Sequence, residues 1–226
     1  AMVSCGDALE LDELLVNPNS PTPETADLPS LYNQVQLGFR SFLESPQGFT
    51  MQLSRQRAMT AGLDYQTAYG PGSFNGIWNS AYSGFIPDAD AAIALATPTG
   101  QNIIVGSSKI MKAYVLMTLV DLFGDVPLTE SGQGLDLLSP NSDDGASVYA
   151  AAGALLVEAI AELEANTAAA PAVDLMLGGD ADKWIKAAKS LQLRAAVTTR
   201  DNAAFDALLA GGGYITSSSD DWDFIY

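Results

Sequence analysis

The stretch from Ile103 to Pro127, IIVGSSKIMKAYVLMTLVDLFGDVP, constrains the fold more than any other. As far as Phe123 it is apolar around most of a helical circumference, with a narrow polar face near Ser108 and Lys112. A helix of that kind has to be buried among other helices. Gly124 predicts its end, because a residue without a Cβ can take the left-handed conformation that closes a helix. Pro127 disfavours helix at Val126, so Asp125–Pro127 should leave in extended form. At 1.5 Å per residue, Ile103–Phe123 spans roughly 31 Å, enough to cross a small domain. It does not read as a membrane span. Lys109 and Lys112 interrupt it, and the uncharged run after them is well short of about 18 residues.

A chain of 226 residues holds one or two domains, and 48% hydrophobic residues suffice for a sizeable core. Ten basic residues against 27 acidic ones give a net charge of −17. Such a surface repels polyanions, so nucleic acid and anionic lipid headgroups are poor partners. The sequence has no histidine, which removes His-based acid/base chemistry, Ser-His and Cys-His triads and most zinc sites. One cysteine, Cys5, excludes an internal disulfide.

Residues 1–27 read as a tether. The proline-interrupted run Asn17-Pro18-Asn19-Ser20-Pro21-Thr22-Pro23 cannot be helix. Cys5 follows small residues and precedes Gly6-Asp7, the order of a lipoprotein processing site; a free thiol is the alternative. From Asp27, a plausible N-cap, Leu28, Leu31, Tyr32, Val35, Phe39, Phe42 and Leu43 recur at helical spacing, and Ser45-Pro46-Gln47-Gly48 should end that helix. A second helix is expected over Phe49–Ala61 and a third over Phe74–Ala96, kinked at Pro87. After Pro127 come a polar loop, a helix over Ala146–Ala165 led by Asp143 and Asp144, and a second loop. Asp180 should cap the next helix, with Trp184, Ala188, Leu191 and Ala195 facing inward and Lys183, Lys186 and Arg194 solvated. A short helix over Ala203–Ala210 follows. The terminal Trp222, Phe224 and Tyr226 either dock on the body or mark a chain that continues; continuation is the expectation. No block is rich in strands, so consecutive helices should pair as antiparallel hairpins, and the class is all-α.

Chemistry-bearing motifs are sparse. A glycosidase needs two carboxylates across a cleft, and Asp64 with Asp121 is the pair to weigh. Asp121 ends a helix and Asp64 lies in a loop, so solvation and capping are the simpler roles. Asn141-Ser142-Asp143-Asp144-Gly145 fails as a calcium loop, because Pro140 takes its first position and no glutamate its twelfth. No metal site and no cofactor motif is expected. Aromatics remain. Sugars stack their C–H faces on rings, and a few polar groups orient them. Tyr65 and Tyr69, with Asp64 as a polar neighbour, lie on the loop richest in aromatics and glycine. They either pack that loop on the bundle or meet a ligand. Trp78, Tyr82 and Trp184, at helical spacing, read as core.

Several segments, in order, resemble the SusD/RagB-like family of surface nutrient-binding lipoproteins. They are Cys5 to Thr22, Trp78-Asn79-Ser80-Ala81-Tyr82, Ser107 to Pro127 with its Lys112-Ala113-Tyr114 and Asp121-Leu122-Phe123-Gly124-Asp125-Val126-Pro127, Ser139 to Leu163, and Gly178 to Arg194. The resemblance implies tetratricopeptide-like helical hairpins packed as a right-handed superhelical array with long loops. It implies a lipid anchor at Cys5 in the outer membrane, capture of oligosaccharides, or in some members peptides, without cleavage, and delivery to a SusC-like TonB-dependent transporter. The family's members are longer. Residues 28–226 would then be the helical domain, with much of the variable, ligand-bearing part outside this chain. Two other readings stay open: a helical-repeat scaffold that binds protein and no small ligand, and a glycan-cleaving enzyme.

Overall fold

A computed structural model describes residues 27–60, 65, 69–133, 136–222 and 224. Residues 1–26 of the tether, Cys5 among them, and Asp64 and Tyr226 lie outside them. Helices α1 (Leu28–Leu53), α2 (Asn75–Asn79), α3 (Ile86–Ala96), α4 (Asn102–Phe123), α5 (Gly145–Glu164), α6 (Ala181–Thr199) and α7 (Asn202–Gly211) follow in order. Among the described residues no strand forms. The one departure from helix pairing is an isolated antiparallel bridge between Val126 and Asp143. The all-α expectation holds.

Aspartates start four of the helices. Asp27 accepts the Ser30 N–H, Asp144 that of Ser147, Asp180 those of Asp182 and Lys183, and Asp201 that of Ala204. Each satisfies an otherwise unpaired first-turn donor and places negative charge at the positive end of the helix dipole.

α4 is the spine. Ile110, Met111, Val115, Leu116, Met117 and Leu119 have no exposure, and α4 packs along α3 and α5. α4 and α5 are both long and apolar enough to cross a membrane, but 78% of α4's apolar window is buried inside the protein. Ser108, expected on the polar face, is fully buried. Lys109 and Lys112 carry the polarity instead, Lys109 reaching Glu158 and Glu162 and Lys112 pairing with Asp90. Gly106 sits where α4 crosses α5. A Cβ there would stand 2.6 Å from Leu163 Cγ, so any larger residue has to displace that side chain.

Three expectations are corrected. The first and second helices are one, α1, which runs through Pro46 to Leu53. A proline inside a helix removes one backbone bond. Here its ring is buried on the same side as Phe42, and that burial outweighs the lost bond. α1 ends instead at Ser54, where Arg55 takes φ +60. Pro87, expected to kink the third helix, sits in the first turn of α3 with helical backbone on both sides. The irregularity lies just upstream, where Ser80–Phe85 forms a π-helical turn and the Ile86 N–H bonds the Ala81 carbonyl. Lys186 and Arg194 are not merely solvated, since they pair with Asp220 and Asp121. Gly124 does stop α4, at φ +80 and ψ −112, a positive-φ conformation outside the left-handed helical well.

The loop after α5 is knotted by Asp174. Its Oδ1 accepts the N–H groups of Met176 (2.9 Å) and Leu177 (3.1 Å). Its Oδ2 accepts the Gly179 N–H (2.8 Å) and the indole N–H of fully buried Trp184 (2.7 Å). Gln36 clasps the same loop from α1, accepting the Leu175 N–H and donating to the Val173 carbonyl. At the far end Trp222 docks on the body. Its ring stacks on Phe39 at 5.2 Å and meets Trp184 edge-on. Phe224 packs nearby, so docking is what these two residues do.

Candidate functional site

The Asp121-to-Pro127 motif lies where α4 hands the chain to the next loop. Asp121 accepts the Tyr149 hydroxyl at 2.6 Å and the Arg194 guanidinium at 2.6 Å. Arg194 also lies over the Tyr114 ring, 5.1 Å from its centroid. Burial, followed by the hydrogen bond to Asp121, pushes the Tyr149 hydroxyl up to about 12. Asp125 accepts the Gly145 N–H at 2.9 Å, tying the end of α4 to the start of α5. These carboxylates are held in structural bonds, the arrangement expected of a scaffold.

Asp143 anchors the loop after Pro127. It accepts the N–H groups of Leu128 (2.7 Å) and Thr129 (2.9 Å) and the Thr129 hydroxyl (2.8 Å). The Thr129 and Leu128 backbone donors hold its carboxyl below the usual aspartate value of 3.8. A lowered folded pKa stabilises the fold above the unfolded pKa, and that stabilisation is lost as pH falls through the folded value. Put as a measurement, the stability difference between wild type and Asp143→Asn shrinks as pH falls below 3.8; a difference that stays constant down to unfolding contradicts this role.

Aromatic rings form a ridge beside this loop. Phe49 meets Tyr69 edge-on at 5.0 Å and Phe74 at 5.2 Å, and Phe74 meets Phe123 at 6.3 Å. Phe123 contacts Trp78 at 5.0 Å, and Trp78 stacks on Tyr82 at 5.2 Å with 17° between the rings. The Tyr82 hydroxyl donates to the Pro127 carbonyl at 2.8 Å. Burial, then the Asp143 charge, raises that hydroxyl's pKa. Trp78, Tyr82, Asn79, Ser83, Pro127, Ser131, Gly132 and Pro140 line a hollow of about 260 Å³.

The two tyrosines expected at a site part company. Tyr69 is half-buried in the ridge, its hydroxyl donating to Gln52 Oε1. Tyr65 is 36% exposed, with the Arg55 guanidinium 5.2 Å from its ring centroid. Trp78 and Tyr82 were read as core from their spacing. They do pack on it, but remain partly exposed along the hollow. Four-residue spacing suits a buried face and a rim alike, so the sequence carries no signal that separates the two. Among the described residues, no group of three or more acidic, cysteine or histidine side chains is arranged to hold a metal ion.

A search of the curated proteins found no match. Solved structures share the fold. A SusD-like protein from Bacteroidetes superposes with a TM-score of 0.72 at 24% identity, over 88% of this chain and 39% of its own. A chitin-binding SusD homologue from Flavobacterium johnsoniae gives 0.68 at 17% identity, over 87% and 46%. A SusD/RagB family protein from Bacteroides thetaiotaomicron gives 0.60 at 22% identity, over 86% and 43%. This chain thus spans less than half the length of each. The model of a SusD-like family described as starch-binding and associating with the outer membrane matches residues 18–223, and the chain belongs to that family.

Proposed function

We propose that this chain is the helical portion of a cell-surface glycan-binding protein, one that captures oligosaccharide without cleaving it. The single observation that carries the reading is the stacked Trp78–Tyr82 pair facing a hollow edged by Asn79, Ser83 and Ser131. Flat rings beside a few hydroxyl and amide groups suit the alternating C–H and O–H surface of a sugar. Tyr65 and Tyr69, with Asp64 as a polar neighbour, extend the contact from the loop after α1. Family membership and the chitin-binding homologue support the ligand class. Cys5 would carry the lipid anchor in the outer membrane and residues 1–27 the tether, with a SusC-like TonB-dependent transporter receiving the cargo.

Calorimetry with a panel of neutral oligosaccharides tests this. Trp78→Ala should weaken binding at least about tenfold, a loss of about 1.4 kcal/mol. Tyr65→Ala should weaken it less, since that ring also faces Arg55. No binding across the panel, or unchanged affinity in Trp78→Ala, overturns the reading.

A further inference from the structure

A cleft of about 560 Å³ opens between α1, α4 and α6. Its size is that of a small-molecule site. Leu43, Pro46, Gln47 and Thr50 come from α1, Tyr114, Thr118, Asp121 and Leu122 from α4, and Arg194 from α6. The ridge residues Trp78 and Tyr82 take no part in it.

Its polar end is built in advance. Arg194 is fixed between the Asp121 carboxylate and the Tyr114 ring, and the second Asp121 oxygen is fixed by Tyr149. A guanidinium carries five N–H donors, so the ion pair leaves donors and carboxylate lone pairs to spare. Both side chains keep some exposure, 36% for Arg194 and 29% for Asp121. Beside them Thr118 is only 8% exposed, and among the described residues its hydroxyl is one of three buried side-chain polar atoms with no hydrogen-bond partner. Such orphans are uncommon. Pro46 has no N–H to give the Phe42 carbonyl, which removes a further internal bond on this side of α1. Leu43 and Leu122, the latter 38% exposed, supply apolar surface.

These groups select against a charged ligand. An anion would have to compete with Asp121 for Arg194 and approach a chain of net charge −17. A cation would meet the guanidinium. A neutral ring with adjacent hydroxyls can accept from Arg194, donate to Asp121 and rest its C–H face on the leucines. We propose that this cleft is a second binding site, separate from the aromatic ridge, for a neutral polyhydroxylated ring such as one or two saccharide units.

Methyl NMR of the full chain tests it, with cellobiose and maltose as neutral probes and digalacturonate as the anionic one. A neutral probe should shift the Leu43, Thr118 and Leu122 methyl signals, in the wild type and equally in Trp78→Ala. Leu122→Trp, which fills the cleft, should reduce the Leu43 and Thr118 shifts at least about fivefold. Gln47→Ala, on the exposed rim, should weaken the same shifts and serves if the tryptophan variant fails to fold. Digalacturonate should give smaller shifts than either neutral probe. Absence of shifts at these methyls, shifts unchanged in both cleft variants, or digalacturonate binding as tightly overturns the site. Because Trp78→Ala leaves the cleft intact, failure here and failure at the ridge are told apart.

Discussion

Asp174→Ala should lower the stability of the folded chain by about 3 kcal/mol. One carboxylate serves four donors, the N–H groups of Met176, Leu177 and Gly179 and the Trp184 indole. Hydrogen bonds to a charged acceptor contribute about 1.5–3 kcal/mol each in favourable cases, and a buried donor left alone loses about 1–3 kcal/mol of solvation. The four are not additive, because the loop can relax and water can reach some of them. Trp184 cannot relax in this way, since it is fully buried between Trp222 and the helices. For a chain of this size the loss corresponds to a drop of roughly 6–12 °C in Tm. Asp174→Asn should fall between wild type and alanine, because it keeps one acceptor and turns an amide N–H₂ toward groups that also donate. Urea unfolding followed by tryptophan fluorescence measures both. A loss below about 1 kcal/mol for the alanine variant would show that the loop is held by Gln36 and packing alone.

Gly106→Val should cost about 2–3 kcal/mol by overpacking the α4–α5 crossing. The new Cβ would lie 2.6 Å from Leu163 Cγ, with Cδ2 at 2.9 Å and Cδ1 at 3.1 Å, before any γ-methyl is placed. Gly106→Ala should cost less. Only the leucine's side chain must swing away, and alanine recovers up to about 1 kcal/mol of helix propensity. The discriminating measurement is a double-mutant cycle. Leu163→Ala alone opens a cavity, yet in the Gly106→Val background it makes room. The double variant should therefore be more stable than the sum of the single losses by at least about 1 kcal/mol. Strict additivity would mean that the helices separate rather than that the two side chains collide.

Helix phase was legible from the sequence because burial imposes it. The all-round apolarity of α4 announced a spine, and the Asp27 and Asp180 caps could be read before their helices. Helix ends were harder. Pro46 looked like a stop because local sequence shows the lost hydrogen bond and not the buried face that compensates for it. Partners distant along the chain were not legible at all. Nothing beside Arg194 in sequence predicts Asp121, 73 residues away, and nothing beside Asp174 announces its hold on Trp184. The candidate site was half visible. Tyr65 and Tyr69 drew attention by composition, while Trp78 and Tyr82 were hidden by helical spacing that suits a core and a rim equally. Only the fold of the loop after Pro127 over that face distinguishes the two.

The π-helical turn at Ser80–Phe85 has a bearing on how this face tolerates change in length. One turn there holds an additional residue, so the segments on either side are offset by roughly 100° from the phase that a uniform α-helix would give them. The offset lets Trp78 look outward while Ala89, Ala92 and Ala96 look inward from the same continuous rod. Deleting a single residue from the turn would straighten the winding and force a choice, with either the alanines rolled out of the interior or the indole swung off its shelf.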